Sequence, residues 1–148
     1  MDGVGLGSPG VDWQSYLGER RDMTDRPPKG YKAAGVYTGV KRNPNKKDLT
    51  LIVSETPAVA AGVFTQNLVV AAPVRLCQSR TPSKTIRAVV ANSGCANACT
   101  GTQGDKDAAT MAAKTAQVCD LDEKDVLVMS TGVIGEMLPL EKISAGIV

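Results

Sequence analysis

Short apolar runs separated by turn-forming residues make up most of the chain from Lys29 onward. Those with the length and composition of strands are Leu49–Ser54, Pro73–Cys77, Ile86–Ala91 and Val126–Met129. The stretch Ala58–Phe64 is also small and apolar. The segment from Lys41 to Lys47 is rich in charge and turn formers, which predicts a solvated hairpin loop leading into the strand at Leu49.

Two segments carry the spacing of a helix. In the first, small and apolar residues recur every three to four positions and would line one helix face. They are Ala108, Met111, Ala112, Ala116 and Cys119. The second begins at Pro139, since proline is tolerated in the first turn of a helix, and continues through Ile143 and Ile147. The order of strands, helix, strand, turn and helix predicts a mixed α/β (α+β) domain whose helices layer on a sheet.

The first part of the chain differs from the rest in composition and in its pattern of apolar residues. Residues 1–26 carry glycine, proline and mixed charge without a sustained apolar period, which predicts a flexible amino-terminal arm. Residues 27–148 are predicted to form one domain, because a chain of 148 residues is close to the usual size of a single domain. The sequence stops at Val148 inside a predicted helix without a cap, so we expect this domain to be incomplete.

Charge and hydropathy narrow the class of partner. The net charge of +2, from 17 basic and 15 acidic side chains, is far below the excess typical of nucleic-acid-binding proteins. The Lys41–Lys47 segment could alternatively be a basic patch for phosphates, but no aromatic residue interleaves its charges. No apolar run is long enough to span a bilayer, and no secretory signal is visible. We therefore expect a cytoplasmic protein, or one of a chloroplast or mitochondrion if the source is eukaryotic.

Cysteine and histidine usage limits the chemistry further. The four cysteines are too few and too widely spaced for a secreted disulfide scaffold, so we interpret them as reduced thiols. A zinc site built from all four is the sharper alternative, but only Cys95 and Cys99 are close together in sequence. The chain has no histidine, which excludes any mechanism that needs an imidazole from it. We predict no metal and no cofactor.

Two segments combine glycine with small polar side chains just after a predicted strand. In Asn92–Gly101, the asparagine amides could face a polar substrate, although an Asx-turn that caps the following helix is the favoured interpretation. In Ser130–Gly135, Gly132 lets the backbone approach a ligand closely, so the turn could aim N–H groups at an oxyanion or a phosphate. An ordinary strand-to-loop turn explains the same residues.

Four blocks in order carry a family resemblance: Lys32–Gly35, Ala60–Thr65, Asn92–Gly101 and Ser130–Gly135. From about residue 29 to residue 148 the sequence resembles the ornithine acetyltransferase family of arginine biosynthesis, also called glutamate N-acetyltransferase. The resemblance implies that family's fold. It also implies transfer of an acetyl group from N2-acetylornithine to glutamate, while the residues leave open whether acetyl-CoA is an additional donor.

The resemblance also implies how the reaction is divided along the polypeptide. Members of the family are cleaved before a threonine, which begins a beta subunit, acts as the nucleophile and uses its own α-amino group as the base. The expected assembly contains two alpha and two beta subunits. Thr131 and Gly132 match the oxyanion-hole positions, whereas the family's Lys-Gly-Ser-Gly-Met-Ile segment and the Ala-Thr cleavage pair, which lie further along, have no counterpart before Val148. We therefore expect this chain to be inactive alone; the alternatives are a non-catalytic fragment or a binding module for an amino acid or anion.

Overall fold

The computed structural model describes residues 27–148, and the predicted arm of residues 1–26 lies outside the described residues. The described part forms a four-stranded sheet, three α-helices and one turn of 3-10 helix. The elements in chain order are β1 (Tyr31–Val36), β2 (Leu49–Ala60), α1 (Ala72–Arg80), β3 (Ser83–Cys95), α2 (Gly101–Cys119), the 3-10 turn (Glu123–Asp125), β4 (Val126–Val133) and α3 (Leu140–Ile147). The predicted mixed α/β class is confirmed.

The sheet has the strand order β1-β2-β3-β4. The first two pairings are antiparallel, and the segment predicted as a hairpin loop does join β1 to β2. The last pairing, β3 with β4, is parallel. Parallel neighbours require a crossover connection, and α2 supplies it, so the carboxyl ends of β3 and β4 lie at the same edge of the sheet.

The core lies between one face of the sheet and the helices. Along β3, Ala88, Val90 and Asn92 are buried while the residues between them are more exposed, which is the two-residue period of a half-buried strand. The helices cover this face with apolar side chains, and both predicted helical periods are confirmed as α2 and α3. The fully buried members include Leu49, Leu51, Met111, Val126, Val128, Ile143 and Ile147. Within residues 27–148, no helix is both long and apolar enough to cross a membrane.

The strand predicted at Pro73–Cys77 is wrong, because these residues belong to helix α1. Proline stands in the first turn of that helix, where its missing N–H is not needed. The helix is anchored at its ends by tertiary contacts that local sequence cannot show: Arg75 pairs with Asp105 of α2 at 2.5 Å, and Arg80 donates to the Val126 carbonyl at 2.5 Å. A five-residue apolar run was too short to distinguish the two periods.

The ends of three strands also differ from expectation. β2 ends at Ala60, so the rest of the apolar stretch predicted to reach Phe64 has no regular structure. β4 does not end at Met129 but continues to Val133, and β3 likewise continues to Cys95. Each of these two strands extends because the other is its hydrogen-bonding neighbour, a pairing that neither strand's own sequence reveals.

The core assignment predicts unequal effects for the same substitution at two sites. Leu49 is fully buried, whereas Leu68 is completely exposed. We expect Leu49→Ala to lower the free energy of unfolding by about 2–5 kcal/mol, because it removes packed methyl groups and leaves a cavity. Leu68→Ala should change it by less than about 0.5 kcal/mol. Urea unfolding of the full-length gene product and both variants measures this, and equal effects would contradict the assignment.

Candidate active site

The two glycine-containing segments lie side by side at the carboxyl ends of β3 and β4. Four pairs define this parallel register: Asn92 with Ser130, Ser93 with Thr131, Gly94 with Gly132, and Cys95 with Val133. Both segments were expected to begin just beyond a strand, and instead their first residues are the last residues of the strands. The sheet therefore brings together the two motifs that sequence singled out separately.

Gly132 lies close against the Gly94 backbone. A Cβ atom on Gly132 would lie 2.5 Å from the Cys95 nitrogen and in equally severe conflict with the Gly94 carbonyl group. The backbone also has positive φ at both glycines, 136° at Gly132 and 113° at Gly94, which residues with a Cβ rarely adopt. Gly132 thus requires glycine for space and for conformation, whereas Gly94 requires it for conformation.

The side chain of Ser130 joins the two segments by hydrogen bonds. Its hydroxyl accepts the Asn97 N–H at 2.9 Å and donates to the Cys95 carbonyl at 3.2 Å. The Ala96 N–H adds a backbone bond to the Val133 carbonyl at 2.8 Å. These bonds fasten the chain leaving β3 to the residues on either side of Thr131 and Gly132. Sequence reasoning missed this role of Ser130, although its position beside Thr131 was the available signal.

The side-chain amides of Asn92 and Asn97 are buried and donate to backbone carbonyl groups. The Asn92 amide donates to the Cys95 carbonyl at 2.8 Å, and the Asn97 amide donates to the Gly104 carbonyl at 2.8 Å. Asn97 also accepts from the Thr100 hydroxyl at 2.6 Å and is completely buried. The favoured capping interpretation is wrong in detail: Thr100 is the N-cap residue of α2 and makes no side-chain cap bond. Asn97 instead stabilises the start of α2 by donating its side-chain amide to the Gly104 carbonyl group of the helix.

Thr131 and Gly132 are accessible, in contrast to their neighbours on β3. Both are exposed, whereas Ser130 is half-buried and Asn92 is buried. Successive side chains of a strand point to opposite faces, so the Thr131 side chain leaves the sheet on the face opposite the helices. The carboxyl ends of parallel strands are a common location for ligand sites in open sheets. The arrangement can therefore present a hydroxyl and a close-lying backbone to a ligand.

The four cysteines are free thiols that occupy different environments. Burial raises the pKa of Cys77, whose thiol also donates to the Val128 carbonyl, and burial raises the pKa of Cys119. Burial, with a smaller effect of the Glu136 carboxylate, raises the pKa of Cys95. Residues 27–148 contain no group of three or more cysteine or acidic side chains that could hold a metal ion. The zinc alternative therefore gains no support from this part of the chain.

The family model described as the ArgJ family matches residues 32–148 of this sequence. The chain belongs to the ArgJ family. The match contains both strands of the candidate site and every element after the first residue of β1. The resemblance stated from the four sequence blocks is confirmed.

Relatives in the ArgJ family share about half of their residues with this chain over the matched region. The arginine biosynthesis bifunctional protein ArgJ of Rhodopirellula baltica is 53% identical over 120 residues, which are 81% of this chain and 29% of that protein. The protein of the same name from Bacillus subtilis is 51% identical over 121 residues, with the same coverage. The chain thus spans about three tenths of the length of these relatives.

Two crystal structures share the fold. ArgJ of Bacillus halodurans superposes with a TM-score of 0.76 at 48% identity, over 80% of this chain and 62% of that one. The ornithine acetyltransferase of Mycobacterium tuberculosis, in complex with ornithine, superposes with a TM-score of 0.75 at 44% identity, over 81% of this chain and 65% of that one. The expected resemblance to the ornithine acetyltransferase fold is confirmed.

The glycine contact predicts a position-specific loss of stability. We expect Gly132→Ala to lower the free energy of unfolding by about 1–3 kcal/mol more than Gly30→Ala does. Both glycines have positive φ, but a Cβ on Gly30 would meet no atom within 4 Å, so that variant carries conformational strain alone. Denaturant unfolding of the full-length gene product compares them. Equal losses would show that Gly132 is required for its backbone conformation only.

Cysteine environments predict an order of modification. At a pH near neutrality, we expect iodoacetamide to alkylate the exposed Cys99 first. Cys77 and Cys119 should react later, because burial shields their sulfur atoms and their raised pKa values leave less thiolate at a given pH. Peptide mass spectrometry of samples taken over time gives the order. Early labelling of Cys77 would contradict the packing of α1 against β4.

Proposed function

We propose that this chain supplies the oxyanion hole of an enzyme that transfers an acetyl group from N2-acetylornithine to glutamate in arginine biosynthesis. The observation that carries the proposal is the exposed Thr131–Gly132 pair, held against Gly94 at the carboxyl ends of two parallel strands. The Thr131 hydroxyl and the Gly132 N–H would be the donors. Membership of the ArgJ family supports acetyl transfer as the reaction.

The proposed chemistry proceeds through an acyl-threonine in two half-reactions. An amino-terminal threonine attacks the acetyl carbonyl carbon of N2-acetylornithine, and its α-amino group takes the hydroxyl proton. The tetrahedral oxyanion is stabilised by the hole and collapses with release of ornithine, whose departing nitrogen receives the proton. The glutamate amine then attacks the acetyl-threonine ester, which forms N-acetylglutamate and regenerates the threonine hydroxyl.

The other catalytic groups are proposed to lie on the portion that the longer relatives possess in addition. This chain spans 29% of the Rhodopirellula relative, so a nucleophilic threonine, most substrate contacts and a beta subunit would come from elsewhere in the polypeptide. The proposed assembly has two alpha and two beta subunits formed by autocatalytic cleavage of one precursor, in the cytoplasm or in a eukaryotic organelle. Acetyl-CoA as a second acetyl donor belongs to the same proposal.

Substitution of the proposed donors tests the function directly. In the full-length gene product, we expect Thr131→Val to lower kcat for acetyl transfer about 100- to 1000-fold, because one oxyanion donor is lost without a change in side-chain volume. KM for acetylornithine should change far less, since the donor acts mainly on the transition state. Gly132→Ala should show the same bias toward kcat. Product formation from acetylornithine and glutamate gives both parameters.

Controls separate this role from general damage. Thr110→Val, on α2, removes a hydroxyl that binds the Lys106 carbonyl within the helix and should leave kcat within about twofold. A parallel effect of Thr131→Val on kcat and on substrate affinity would argue against an oxyanion hole. The alternative is a binding module for an amino acid or anion. Calorimetry of residues 1–148 with ornithine or glutamate tests it, and binding there, together with no turnover by the full-length product, would favour it.

A further inference from the structure

Asp48 is a buried carboxylate that directly follows Lys41–Lys47, the segment predicted from sequence to be a solvated loop. It is 2% exposed and stands immediately before β2. One carboxylate oxygen accepts the Thr38 N–H at 2.6 Å and the Thr38 hydroxyl at 2.9 Å, and the other accepts the Lys41 N–H at 2.9 Å. A buried carboxylate with this many donors is a strong constraint on the backbone that supplies them.

The backbone of Asp48 reaches two strands at the same time. Its N–H donates to the Val36 carbonyl at the end of β1 at 3.0 Å, and its carbonyl accepts the Ser93 N–H of β3 at 2.8 Å. Ser93 is the register partner of Thr131 and precedes Gly94. Asp48 therefore connects the loop of residues 37–48 to the end of β3 where the candidate site lies.

The loop that Asp48 holds packs directly against Gly94. A Cβ on Gly94 would lie 3.1 Å from the Val40 Cγ1 and 3.1 Å from the Lys41 Cγ, so these side chains occupy the space beside the glycine. Helix α3 contacts the same loop, because the Lys142 ammonium donates to the Gly39 carbonyl at 3.0 Å. The Gly146 backbone also lies against the Thr38 side chain. The loop is thus held by Asp48 and by α3.

These contacts form one continuous stack from Asp48 to the proposed oxyanion hole. The carboxylate holds residues 38–41, the side chains of Val40 and Lys41 back Gly94, and Gly94 is the surface against which Gly132 packs. We propose that Asp48 is a positioning residue that sets the placement of Thr131 and Gly132 through this stack. The proposal deepens the proposed function and rests on it for its catalytic consequence.

The test uses Asp48→Asn in the full-length gene product. An amide in place of the carboxylate loses charge and turns one acceptor into a donor that faces an N–H group. We expect kcat to fall about 10- to 100-fold, because small displacements of a catalytic group have effects of this size. KM for acetylornithine should change less than threefold. Asp122→Asn removes an exposed carboxylate in the turn after α2 and should leave both parameters unchanged.

A double-mutant cycle distinguishes positioning from loss of stability. If Asp48 acts through the oxyanion hole, adding Asp48→Asn to Thr131→Val should reduce kcat much less than it does in the unmodified enzyme. A purely structural defect would reduce both backgrounds by the same factor, and that result would overturn the proposal. If Asp48→Asn does not fold, Thr38→Val removes a single hydroxyl from the same carboxylate and replaces it in the cycle.

Hydrogen exchange provides a readout that does not depend on activity. We expect Asp48→Asn, but not Asp122→Asn, to accelerate exchange of the peptide N–H groups from Ser93 to Cys95 and from Ser130 to Gly132. Unchanged exchange in both segments would overturn the positioning role even if acetyl transfer were established. Accelerated exchange in a protein that transfers no acetyl group would instead refute the proposed function and leave the stack in place.

Discussion

The contact between the Gly94 and Gly132 backbones is the constraint on which the site depends. Gly132 lies so close to the Gly94 backbone of the parallel strand that it cannot carry a side chain, and both glycines have positive φ. This contact places two motifs that are separated by a helix and a crossover into one edge of the sheet, and the hydrogen bonds of Ser130 then hold that arrangement.

Catalysis by an oxyanion hole requires donors that are already oriented before charge develops. A sheet edge provides this rigidity, because each donor is supported by a neighbouring strand whose position is set by the core. In this chain Asp48 joins the buried start of β2 at Leu49 to Ser93 of β3, and Ser93 is the register partner of the exposed Thr131. The same few residues thus contribute to the stability of the fold and to the proposed function, and substituting one of them should affect both.

Local sequence predicted the elements with strong periodicity and failed where long-range contacts decide. The Ala108 to Cys119 spacing predicts α2 correctly, since a long amphipathic period has no competing interpretation. The helix at Pro73 was missed because its partners, Asp105 and Val126, are distant in sequence. The side-by-side register of the two glycine motifs was also invisible, because parallel pairing depends on a crossover. Asp48 directly follows the charged Lys41–Lys47 segment, and its sequence position alone does not show that Thr38 and Lys41 donate hydrogen bonds to its buried carboxylate.

The most direct test is a crystal structure of the full-length gene product with a tetrahedral phosphonate analogue of the acetyl group of N2-acetylornithine. The phosphonate group is tetrahedral like the proposed intermediate, and its oxygen carries negative charge like the oxyanion. We expect it within hydrogen-bond distance of the Thr131 hydroxyl and the Gly132 N–H, with the Gly94 contact retained. A phosphonate bound elsewhere, with Thr131 and Gly132 facing solvent, would contradict the assignment of this sheet edge to the oxyanion hole.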